Sequence, residues 1–195
     1  MFSPAERHAL LRLARAAVAA RVAGGPPPAP GEDVPDTRAG AFVTLRRPDG
    51  ELRGCIGHIE ADRPVAEIVT HVAASAATED PRFTPVMPAE LAALELEVSV
   101  LGPLERIDPR DPSEIDIGRH GLVIERGGRH GLLLPQVATE WGWGREEFLS
   151  HLCAKAGLPR DAWQAGATVY RFEAEVFSEE TEEAHHGGHG EHGEG

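Results

Sequence analysis

Leu94, Leu96, Val98 and Val100 alternate with Glu95, Glu97 and Ser99. A period of two describes a strand with one apolar and one polar face. Such a strand needs partner strands and a layer that covers its apolar side. The rest of the chain reads as both. Residues 40–45 predict a strand, Arg46-Arg47-Pro48-Asp49-Gly50 is turn chemistry, and residues 51–59 return as the partner strand. Residues 121–125 and 131–134 flank Arg126-Gly127-Gly128-Arg129 as a second hairpin. Residues 169–177 predict a closing strand with Tyr170, Phe172, Ala174 and Val176 on one side.

The covering layer comes from helical spacing. Ser3-Pro4-Ala5-Glu6 is a capping box with proline at the first helical position. Leu10, Leu11, Ala14, Ala17, Val18 and Val22 follow on one face, and Gly24 and Gly25 stop the helix. A loop over residues 24–36 holds five prolines. Asp62 is expected to cap a helix running to about Ala77, with Val65, Ile68, Val69, Val72 and Ala76 as its buried stripe. Pro88-Ala89-Glu90-Leu91 opens a short helical turn. Residues 145–156 form a helix with Phe148, Leu149, Leu152 and Ala156 inward, capped by Gly157 and stopped by Pro159. Hairpins mixed with helices, without strict strand–helix alternation, place the chain in the mixed α/β (α+β) class.

At 195 residues the chain has enough length to bury a core without staples. A net charge of −13, from 19 basic and 32 acidic side chains, argues against nucleic acid and against an anionic membrane surface as partners. No apolar run approaches the ~20 residues of a membrane span, and regularly spaced arginines interrupt the start, unlike a signal peptide. Two cysteines, Cys55 and Cys153, make no disulfide framework. The expected location is the reducing cytoplasm. Residues 178–195 are rich in Glu and His and are expected to be disordered. There His185, His186, His189 and His192, with Glu191, are weak metal candidates of adventitious character, for a divalent ion such as nickel, copper or zinc. No cofactor is called for.

Chemistry concentrates in Leu52-Arg53-Gly54-Cys55-Ile56-Gly57. On a strand Arg53, Cys55 and Gly57 share a face. An arginine beside a thiol stabilises the thiolate, the nucleophilic form. Gly54 and Gly57 leave room for a ligand or another backbone. Two readings stand: an activated cysteine in a cationic pocket, or a small residue where elements pack tightly. His58 and Asp80 join Cys55 and Arg53 as candidate catalytic residues, and Arg53, Gly54, Gly57 and Arg82 are candidate ligand-binding residues. Asp80, held out of helical geometry by Pro81, orients a neighbour or forms a local ion pair with Arg82. Cys153, on the core side of its helix, reads as structural.

The segments GAFVTL (40–45), LRGCIG (52–57), DPRFTPV (80–86), LELEVSVLGPLE (94–105) and GLLLPQVA (131–138), with KAGLP, AW and VYRF beyond, resemble the AMMECR-type domain, known in prokaryotes as AmmeMemoRadiSam system protein A. The resemblance spans nearly all of the chain up to the tail. It implies one AMMECR-type domain over residues 1–177. A larger sub-domain would hold both termini, with a sheet flanked by helices, and a smaller one, expected around residues 110–140, would be inserted. It also implies a cleft lined by the LRGCIG residues and an association with a radical S-adenosylmethionine protein and a Memo-like protein. The family brings no established reaction. Any cluster chemistry would belong to the partner, since two cysteines cannot hold an iron–sulfur cluster. The expected role is a pathway component whose LRGCIG cleft takes a small or anionic ligand. The alternative is a cysteine-dependent enzyme with Cys55 as nucleophile and Arg53 activating it.

Overall fold

A computed structural model describes residues 1–179. The described residues divide into two compact units, one of residues 1–100 and 175–179, the other of Leu101–Ala174.

The first unit begins with α1 (Pro4–Val22). The capping box is formed: Ser3 Oγ accepts from the Glu6 N–H at 3.3 Å, and Glu6 Oε2 accepts from the Ser3 N–H at 2.8 Å. Leu10, Leu11, Ala14, Ala17 and Val18 are buried, as the helical spacing predicts. Strands β1 (Ala41–Arg46) and β2 (Leu52–His58) form the first hairpin, and β3 (Glu95–Leu101) pairs antiparallel with the other edge of β1. Helix α2 (Val65–Thr78) packs on β1 and β2, and α1 packs on α2. The core between them gathers Val43, Leu45, Ile68, Val69, Val72, Leu96 and Val98.

Asp62 does not cap α2. The N-cap is Pro64, without a side-chain cap. The chain enters α2 from an isolated bridge between Arg38 and Pro64, and the first free helical N–H, that of Val65, donates to the Thr37 carbonyl at 2.7 Å. With that donor satisfied by backbone, the Asp62 carboxylate turns to His58 instead.

In the second unit the sheet has the order β4 (Glu105–Ile107), β7 (Thr168–Ser178), β5 (His120–Arg126), β6 (Arg129–Leu133), with all neighbours antiparallel. The β5–β6 turn runs through Gly127 and Gly128, both at positive φ, which suits the twist of a tight hairpin. Helices α3 (Pro135–Trp141) and α4 (Arg145–Lys155) cover it, burying Phe148, Leu149, Leu152 and Cys153 against Leu122, Ile124 and Val169. Neither β4 nor α3 is expected from the sequence. Both are short, and the marks of α3 are only Pro135 at its start and Gly142, at φ 67°, after its end.

Strand β7 departs from simple alternation. Val169, Phe172 and Phe177 are buried, while Val176 is 43% exposed. Val169 joins the second unit's core and Phe177 the first unit's. One strand serving two cores has no single apolar face.

Candidate functional site

In the first unit's sheet β2 is an edge strand. Its ladder sets Cys55 opposite Thr44 and Gly57 opposite Phe42. A Cβ added at Gly54 would lie 2.2 Å from the Ala76 carbonyl oxygen, so Gly54 marks where β2 and α2 meet backbone to backbone. Arg53, Cys55 and Gly57 therefore take the face turned away from α2. Along that face a Cβ at Gly57 would fall 2.2 Å from the Phe42 ring. The room left by both glycines is thus filled by the protein itself.

Arg53 is 3% exposed and its fork is taken up by its own chain. Nε and Nη2 donate to the two Glu90 carboxylate oxygens at 2.8 and 3.0 Å, and Nη1 donates to the Thr84 carbonyl at 2.9 Å. Glu90 also accepts from the Met87 N–H at 2.7 Å, at the start of the 3-10 turn Pro88–Ala93. The Arg53 fork holds the Glu90 carboxyl down at about 2, assisted by that N–H, and Glu90 in turn raises Arg53. The pair pins the segment 84–90 beside β2.

Asp80 follows the end of α2, and Pro81 keeps it out of the helix. It is 4% exposed and sits at the free edge of β2. The Cys55 N–H donates to Asp80 Oδ2 at 2.9 Å. Arg82 forks onto the same carboxylate through Nε at 2.9 Å and Nη2 at 2.7 Å, with its backbone N–H adding a bond at 3.1 Å. Arg82 Nη2 also reaches the Cys55 carbonyl at 3.4 Å. The edge groups that a further strand would use at Cys55 are met by these two side chains. The Arg82 fork, helped by the Cys55 and Arg82 N–H groups and opposed by burial, lowers the Asp80 carboxyl to about 2. Asp80 in turn raises Arg82.

Cys55 itself is half-buried, and Thr44 Oγ1 donates to its Sγ at 3.4 Å. The Arg82 side chain remains 55% exposed, its guanidinium 5.5 Å from the centre of the Phe83 ring. The structure thus brings Cys55, Asp80 and Arg82 together. His58 lies three residues along β2 from Cys55, on the opposite face. Its ring contacts Asp62 Oδ1 at 2.8 Å and Glu60 Oε2 at 3.5 Å. Glu90 and Thr44 join the site without any sequence motif that points to them. Glu90 lies in a short helical turn that begins at Pro88, a local signal, but its pairing with Arg53, 37 residues earlier, is not local. Cys153 is fully buried, and burial pushes its thiol up. The tail histidines His185, His186, His189 and His192 lie outside the described residues. Among the described residues no cluster of metal-ligating side chains occurs and no helix is long and apolar enough to cross a membrane.

A mixed α/β chain with a cysteine on an edge strand, its backbone clamped by an Asp–Arg pair, is the class of protein these observations define. The AMMECR1 family model matches residues 11–177, and the chain belongs to that family. A protein of Methanothermobacter thermautotrophicus is 48% identical over 183 residues, covering 90% of this chain and 95% of its own. One from Thermococcus gammatolerans is 50% identical over 182 residues, covering 88% and 89%. The crystal structure of an uncharacterized protein from Pyrococcus horikoshii matches with a TM-score of 0.84 at 45% identity, over 91% of this chain and 92% of that one.

Proposed function

We propose that this chain is a binding component of a modification pathway that operates with a radical S-adenosylmethionine protein and a Memo-like protein. In this reading it holds an anionic group of its ligand on Arg82, beside the Cys55 thiol. The pathway rests on the family resemblance. The ligand chemistry rests on one observation: Arg82 is fixed by a fork onto Asp80 yet keeps a half-exposed guanidinium next to Cys55. Arg53, buried on Glu90, acts by holding the 84–90 rim in place. A carboxylate at about 2 and a guanidinium are poor proton carriers near neutrality, which favours binding over nucleophilic catalysis at this site.

The test compares alkylation of Cys55 by anionic iodoacetate and neutral iodoacetamide, with buried Cys153 as internal control. Arg82 should favour iodoacetate, and Arg82→Gln should lower the iodoacetate-to-iodoacetamide rate ratio several-fold. An unchanged ratio refutes an anion site at Arg82. Cys55→Ser should leave co-purification with the two partner proteins and the output of the pathway intact. Loss of output from a folded Cys55→Ser protein would instead support the cysteine-dependent enzyme.

A further inference from the structure

Within the first unit a groove of about 430 Å³ opens on the helical layer, on the side of α2 away from the sheet. Its volume lies in the range of small-molecule sites. One wall is the loop after α1, presenting Pro27, Pro28 and Pro30, and the other is the outer face of α2 with Glu67, Thr70, His71 and Ala74. Ala17 and Arg21 of α1 and Arg63, just before α2, complete the lining.

The two walls differ in chemistry. The loop side is apolar and rigid, because proline fixes its own φ. The α2 side is polar. Glu67 and Thr70 are three residues apart and neighbours on the helix surface. The Thr70 hydroxyl donates to the Ala66 carbonyl at 2.8 Å, so its lone pairs are left to accept. Among the described residues, neither the Glu67 carboxylate nor the His71 ring has a hydrogen-bond or ion-pair partner. Arg63, four residues before Glu67, has only a 3.6 Å contact with neighbouring Asp62 and is 41% exposed. Arg21 is committed to Glu79 and Thr78. The groove therefore offers two adjacent acceptors on α2, one of them charged, and the Arg63 guanidinium just before the helix, held only by the 3.6 Å contact with Asp62, together with the prolines of the loop.

We propose that this groove binds a zwitterionic ligand of the dipeptide class with apolar side chains. Its ammonium sits on Glu67 and Thr70, its carboxylate on Arg63, and its side chains lie against Pro27, Pro28 and Pro30. A simple anion meets the Glu67 carboxylate, and a simple cation meets Arg63. Only a molecule carrying both charges satisfies the two together, which is a specificity by repulsion as well as attraction. The site is separate from Cys55, which lies on the far side of the sheet from α2, so it stands or falls independently of the reading at Arg82.

The probe is leucylleucine, titrated calorimetrically into the full chain, with its N-acetylated and C-amidated forms as comparisons. Saturable binding of the free dipeptide is expected, with each capped form weaker by about tenfold or more. Glu67→Gln should weaken the free dipeptide by a similar factor while leaving the acetylated form unaffected. Arg63→Gln should do the same with respect to the amidated form. These exposed positions leave the fold intact, checked by thermal melting. Absence of saturable binding at millimolar dipeptide overturns the proposal, as does binding that Glu67→Gln leaves unchanged.

Discussion

Replacing Glu90 by alanine strips the buried Arg53 guanidinium of its carboxylate and leaves it only the Thr84 and Pro85 carbonyls. The Glu90 carboxyl falls from an ordinary 4.5 to about 2. At 1.36 kcal/mol per unit that corresponds to about 3 kcal/mol. The Glu90 side chain is 32% exposed, so solvent screening reduces the figure to about 1–2 kcal/mol. Arg53 is nearly sealed, and its unmet donors add a desolvation cost of about 1 kcal/mol. Glu90→Ala should therefore lower stability by about 2–3 kcal/mol, or roughly 4–12 °C in melting temperature for a chain of this size. The assay is urea unfolding of wild type, Glu90→Ala and Glu90→Gln from pH 7 down to pH 2. Because the folded pKa is depressed, the Glu90 contribution is fully present above 4.5 and lost as pH falls through about 2. The gap between wild type and Glu90→Gln should narrow across that window. A gap that stays constant from pH 6 to pH 2, or an Ala variant as stable as wild type at pH 7, refutes the argument.

Asp80→Asn should cost about 2 kcal/mol at pH 7, because a buried carboxyl lowered from 3.8 to about 2 loses both its charge and half of its fork to Arg82; pH-dependent unfolding should show the penalty shrinking between those two values. Gly54→Ala forces a methyl onto the Ala76 carbonyl, and since both sides are backbone it should cost about 3 kcal/mol or more, read as lost soluble yield or a lowered melting point. Phe148→Ala, at a fully buried core position, should cost about 3–5 kcal/mol. Trp141→Ala, at a side chain 70% exposed, should stay within about 1 kcal/mol, even though Trp141 stacks on Trp143 at 6.0 Å. Ser3→Ala removes the acceptor of the α1 capping box and should cost about 1 kcal/mol by chemical denaturation.

Local signals carried most of the fold. The alternation over residues 94–100 became β3, with Leu96 and Val98 fully buried. The capping box at Ser3 and Glu6 and the paired glycines at 127 and 128 formed as expected, because each is a contact between near neighbours in the chain. Asp62 failed as a cap for the opposite reason: the Thr37 carbonyl that replaces it is set by a distant bridge. The alternation expected of β7 failed because the strand contributes to two cores.

At the site, spacing alone put Arg53 and Cys55 on one face of β2, since a strand permits no other arrangement. It could not say what each would meet. Arg53 met Glu90, 37 residues later, and became part of the frame. The Cys55 backbone met Asp80, 25 residues later, and the exposed cation of the site became Arg82. Hydrogen-bond partners so far apart in the chain are chosen by how α2 and the segment after it pack against the edge of β2. Residue types and their periods determined most of the elements and the short list of chemical groups, and the motifs from GAFVTL to VYRF carried the resemblance to the family. The tertiary structure decided which guanidinium is buried and which is free, because that depends on surfaces brought together only when the chain closes on itself.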